Sequence, residues 1–168
     1  MMPADPETTA TADDDAPLPI NPKVRVGRLA NGLTYYIRQN EKPADRAELR
    51  LVVDAGSVLE DDDQRGLAHF VEHMAFNGTK KFPKQELIDY LELTGTRFGP
   101  DLNAYTSLDE TVYMLSVRTD SLAQLATGLE ILREWATEIV FEPDEVEKER
   151  GVVIEEWRLG RGAQARIF

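Results

Sequence analysis

Cysteine is absent from the 168 residues, and histidine occurs only twice. The first absence excludes disulfides, thiolate nucleophiles and sulfur-ligated metals. Any transition metal must then be held by His, Asp or Glu. Positive charge is also scarce. Against 31 Asp and Glu stand 19 Lys and Arg, for a formal net charge of -12. Phosphate contacts need clustered Lys and Arg, so this balance argues against nucleic acid as a partner. No apolar run approaches the roughly 20 residues of a membrane-spanning helix. No basic-then-apolar start reads as a secretory leader. Such an excess of acid favours solubility.

What remains is an ordinary apolar fraction in a chain long enough for one domain with a core. The two ends differ in character. Residues 1–22, MMPADPETTATADDDAPLPINP, hold five acids and no base among Pro, Thr and Ala. They bury too little apolar surface to offset ordering entropy, and a disordered acidic tail is predicted. Residues 23–168 are predicted to form the folded domain.

VRVGRL and LTYYIR alternate on either side of Asn31-Gly32, a hairpin signal because both turn residues tolerate positive φ. AELRLVVDAGS is a third strand, with Leu49, Leu51 and Val53 on one face. Gly66 to Phe76 reads as a helix stopped by Gly78. FPKQELIDYLELTG reads as another, with Pro83 near its first turn and Gly95 past its end. DLNAYTS and ETVYMLSVR are two further strands. A long helix follows from Asp120 to about Ile139, with a predicted buried stripe of Leu122, Leu125, Ala126, Leu129, Leu132, Ala136 and Ile139. Pro143 opens a last helix, EPDEVEKERGVVIEEWRLG. Trp135 and Trp157 are predicted core residues. The order β-β-β-α-α-β-β-α-α predicts an α+β fold, a mostly antiparallel mixed sheet with helices packed on one face.

Both histidines, His69 and His73, lie in GLAHFVEHMAFNGT with Glu72 between them. On a helix, i and i+4 side chains stack about 5–6 Å apart. Two imidazoles at that spacing can close on one Zn²⁺. Glu72 shares their arc, so its carboxylate can reach a metal-activated water and shuttle its proton to a leaving amine. The third ligand must be a carboxylate. The last helix offers Glu147, Glu149, Glu155 and Glu156. Glu149 and Glu156 are two turns apart and face one way, whereas Glu155 points away from both. Of that pair, one can bind the metal while the other holds a histidine in its tautomer. The acidic run Glu60 to Asp63 reads as a complement to the N-terminus of the histidine helix rather than a cation site.

HFVEH is the H-x-x-E-H pattern of the inverzincins. With its flanks GLAHFVEHMAFNGTKKFP, LNAYTSLDETVY and EKERGVVIEEW, the chain resembles the pitrilysin/insulinase family of zinc metallopeptidases from Val24 to Trp157. It looks most like bacterial members carrying ERGVVxEEW. The resemblance implies a zinc-dependent endopeptidase domain with His69, His73 and Glu156 as zinc ligands, Glu72 as general base and Glu149 supporting a ligand. It also implies that peptide or unfolded polypeptide substrate adds as a strand beside Asn103, Ala104, Tyr105 and Thr106, with Ser107 ending that run. Family enzymes are clamshells of repeated domains. The expectation is therefore an N-terminal domain truncated at its C-terminal end, inactive alone, with the remaining domains as partners and no membrane span. An extracytoplasmic, periplasmic setting in a bacterium is expected. The alternatives of the same fold are a catalytically silent structural domain and a zinc-binding interaction module.

Overall fold

The computed structural model describes residues 19–160 except 94 and 98. Most of the predicted tail, 1–18, and the closing 161–168 lie outside the described residues. The chain divides into two compact units, 1–44 and 45–168.

In the first unit, β1 (Val24–Arg28) pairs antiparallel with β2 (Thr34–Arg38), Val26 opposite Tyr36. The turn is longer than the Asn31-Gly32 pair alone would make. Gly32 N–H donates to Leu29 O at 2.9 Å, and Leu29 N–H to Leu33 O at 2.8 Å. Only Gly32 takes positive φ, at 94°. This is a type I turn closed by one left-handed residue, which needs one glycine rather than two permissive positions. Asn31 contributes through its side chain, whose Oδ1 accepts from Leu33 N–H at 3.2 Å.

The second unit holds a three-stranded antiparallel sheet in the order β3 (Arg46–Val53), β5 (Thr111–Arg118), β4 (Leu102–Thr106). Alternation puts Leu49 and Leu51 opposite Leu115 and Tyr113, and Leu102 and Ala104 opposite the same two residues. One sheet face is therefore a continuous apolar layer. Three helices cover it: α1 (Leu67–Asn77), α2 (Lys84–Leu93) and α3 (Leu122–Thr137). Ala75, Leu87, Leu91, Ile131 and Trp135 meet Leu102, Tyr113, Leu115 and Val117 in one core. Each fully buried large apolar side chain there contributes about 1.5–3 kcal/mol. Trp135 binds the layers together. Its Nε1–H donates to Ala75 O at 3.0 Å, and its ring lies 5.5 Å from Phe76 and 5.6 Å from Tyr113.

Two packing expectations need correction. Leu122, Ala126, Leu129 and Ala136 are exposed, while Leu125, Leu132 and Ile139 pack half-buried against the core; the fully buried residues of α3 are Gly128, Ile131, Glu134 and Trp135. The centre of the fully buried face lies about a third of a turn from the centre of the predicted stripe. Gly128 explains why. A Cβ there would sit 2.9 Å from Leu49 Cδ1 and from Val117 Cγ1, so the helix approaches the sheet at a residue with no side chain. Hydrophobic periodicity cannot register such a residue. Trp157 is likewise not core, being 58% exposed. It belongs to α4 (Pro143–Gly160), which packs along α1 and has no buried residue.

Candidate metal centre

Helix α1 starts against a built anion. Gly66, at φ 91°, turns the chain into the helix without a side-chain cap of its own. Leu67 N–H donates to Gln64 O at 3.0 Å, and the N–H groups on either side of it are met by Glu60 from the preceding loop. Its Oε2 accepts from Gly66 N–H and its Oε1 from Ala68 N–H, both at 2.7 Å. A carboxylate here also complements the helix dipole. One residue beyond Ala68 comes His69.

One helical turn separates His69 from His73, and their Nε2 atoms converge to 3.0 Å with the rings nearly perpendicular. From α4, Glu156 Oε2 reaches within 3.5 Å of His69 Nε2 and 3.4 Å of His73 Nε2. These three residues form a group able to hold a metal ion. Seven residues earlier on α4, Glu149 takes a different position. Its Oε1 lies 2.7 Å from His73 Nδ1, while its Oε2 accepts from Asn77 Nδ2 at 3.0 Å. An ionised carboxylate can only accept. His73 therefore carries its proton on Nδ1 and turns a lone pair at Nε2 toward the cluster. Burial pushes the Glu149 carboxyl up, but the hydrogen bonds from Asn77 and His73 overcome that and hold it below its ordinary value.

Glu155 does not join the group; it is exposed and paired with Arg158 at 3.2 Å. Asn77 was not singled out from the sequence. Its signal was the spacing, since 69, 73 and 77 continue one i, i+4 row of α1.

Glu72 lies on the same helix, 8% exposed. Its Oε2 accepts from Thr106 Oγ1 at 2.6 Å. Its charge adds to burial in pushing the Tyr113 phenol up to about 12, which keeps that neighbour neutral. A groove of about 550 Å³ is lined by His69 and Glu72 on one side and by Ala104, Tyr105, Thr106 and Ser107 on the other. Along β4, Asn103 Oδ1 accepts from Ala104 N–H at 2.9 Å, and Tyr105 OH donates to Glu110 at 2.6 Å. The far side of β4 is a sheet edge.

An α+β domain with two helical imidazoles, a distant carboxylate and an adjacent buried glutamate beside a sheet edge has the layout of a metallohydrolase domain. Comparison with known proteins makes this specific. Residues 35–159 match Insulinase (Peptidase family M16), and the chain belongs to that family. It is 45% identical over 150 residues to a probable zinc protease PqqL of Haemophilus influenzae, covering 89% of this chain and 16% of that protein. The crystal structure of the first half of the periplasmic protease PqqL from Escherichia coli superposes with a TM-score of 0.85 at 46% identity, covering 90% of this chain and 32% of that one. Pitrilysin superposes with a TM-score of 0.69 at 29% identity, over 82% of this chain and 14% of that one. The chain thus spans about one-sixth of the length of the PqqL relative it matches.

Proposed function

We propose that this chain is the zinc-bearing N-terminal domain of a metallo-endopeptidase, with His69, His73 and Glu156 as ligands and Glu149 orienting His73. One observation carries the reading: the three donor atoms stand 3.0, 3.4 and 3.5 Å apart. Bonds of about 2.0–2.1 Å in a tetrahedral site imply donor separations of about 3.3–3.4 Å. The donor set fits as well, with two imidazole nitrogens, one carboxylate oxygen and no sulfur. His69 and Glu156 remain 39% and 48% exposed, so the cluster is open on one side, as a catalytic rather than a structural site requires.

Bound there, zinc supplies Lewis acidity for activating water and polarising a peptide carbonyl. The protein's own groups do the rest. Glu72, buried beside the groove, takes the proton of the attacking water and delivers it to the departing amine nitrogen. The free edge of β4, from Asn103 to Thr106, pairs with the main chain of a peptide or unfolded polypeptide, which gives affinity with little sequence demand. The remaining domains of a larger protease complete the substrate chamber. The PqqL relative from Escherichia coli is described as periplasmic, which supports the same compartment for this protein.

The test is Glu72→Gln in the complete polypeptide, assayed with a quenched peptide and by zinc stoichiometry. Cleavage is expected to fall by about 10²–10⁴-fold with zinc retained. Undiminished cleavage removes Glu72 from the role of base.

A further inference from the structure

We infer that Thr106 is the positioning residue for Glu72, and that it ties the base to the strand on which substrate is held. This rests on the reading of Glu72 as the proton acceptor.

The geometry runs in two directions from one residue. Inward, Thr106 Oγ1 lies 2.6 Å from Glu72 Oε2. A carboxylate is acceptor-only, so the hydroxyl donates. Thr111 is the other hydroxyl nearby, 3.4 Å from Thr106 Oγ1. Its proton goes to Ala55 O at 2.9 Å, so it does not compete for Glu72. The terminal torsion of a glutamate is broad and has no strong preferred angle of its own. The Thr106 hydroxyl removes that freedom. It commits Oε2 and leaves Oε1, in a residue that lines the groove, to accept a proton.

Outward, the same residue presents main chain to the free edge. Ser107 N–H donates to Glu110 O at 2.8 Å, which marks 107 and 110 as a hydrogen-bonded pair. In an antiparallel ladder such pairs alternate with pairs whose N–H and C=O point away. Thr106, opposite Thr111, and Ala104, opposite Tyr113, are therefore the outward-facing positions of β4. A peptide strand added to this edge pairs with the backbone of Thr106 while its hydroxyl holds the base. Seating of substrate and aiming of Glu72 thus share one residue, and the Thr106 proton stays on Thr106 throughout.

The test is Thr106→Val, which keeps the β-branched shape without the hydroxyl, beside Thr106→Ser, which keeps the hydroxyl. Both are made in the complete polypeptide. Losing a charge-assisted hydrogen bond to the base is expected to lower kcat by about 10- to 100-fold. KM is expected to stay within about twofold and zinc content to stay unchanged. Serine is expected to recover most of the rate. Thr106→Ala repeats the loss if the valine protein does not fold. A rise in KM at constant kcat would make Thr106 a strand residue only and overturn the inference, as would serine behaving like valine. Glu72→Gln run in parallel separates the two failures. If it abolishes turnover while Thr106→Val does not, positioning is wrong and the base stands. If it leaves turnover intact, the base itself is wrong.

Discussion

Replacing Glu60 by alanine isolates the link between a surface-loop carboxylate and the metal cluster. Its two oxygens accept from Gly66 and Ala68 N–H at 2.7 Å each. No side chain within α1 takes over, because the N-cap position is Gly66. A lost cap costs about 0.5–2 kcal/mol, and the helix-dipole contribution adds about 0.3–1 kcal/mol. Since Glu60 is only half-buried, about 1–2 kcal/mol is expected from urea unfolding of the zinc-free protein. The loss is local, at the turn just before His69, while His73 is held separately by Glu149. Fraying there displaces one of the three proposed ligands. If half or more of the lost energy is drawn from the site, zinc affinity by competition with a chelator falls about 2- to 30-fold, at 1.4 kcal/mol per tenfold. Glu60→Gln keeps one accepting oxygen but turns an NH₂ toward the second N–H, so it should lie near alanine rather than wild type. An alanine variant with unchanged stability and unchanged zinc affinity would refute the reasoning.

Glu156→Gln is expected to weaken zinc binding far more than Glu155→Gln, because only Glu156 reaches both imidazoles; equal losses on titration would contradict the ligand assignment. Gly56→Ala is expected to destabilise the protein by about 1–3 kcal/mol in a denaturant melt. The added Cβ would stand 2.5 Å from Ser107 O, at a crossing where Ser57 and Val58 donate to the turn after β4. Asp101 is held down to about 2, first by the Arg46 hydrogen bond and then by Arg97. A depressed carboxyl stabilises fully above its unfolded value of about 3.8 and loses that contribution as pH falls through about 2. Asp101→Asn should therefore lower stability at neutral pH and flatten the acid limb between about pH 4 and 2, followed by circular dichroism; an unchanged limb would show that another group governs it.

Helix and strand positions were readable because each is written in a local period. α1 begins and ends at Gly66 and Gly78, as those glycines suggest. The expected order of strands and helices is the observed one. On α3, periodicity placed Leu125, Leu132 and Ile139 against the core but missed the centre of the buried face, where Gly128 has no apolar side chain. It failed at Trp157, which lies on a helix with no buried residue. Hydrophobic character predicts burial only where a partner surface exists.

By itself, the sequence determined that two imidazoles and a carboxylate share one arc of a helix, since 3.6 residues per turn makes that a property of spacing alone. It also required that any third metal ligand be acidic, because no cysteine or further histidine exists. Only the tertiary structure decided which glutamates of α4 converge on that arc and which oxygen of Glu72 is engaged by a strand. Glu149 is 76 residues from His73, and Thr106 is 34 from Glu72. No local period spans such distances. They are set by how α1 packs between α4 and the sheet.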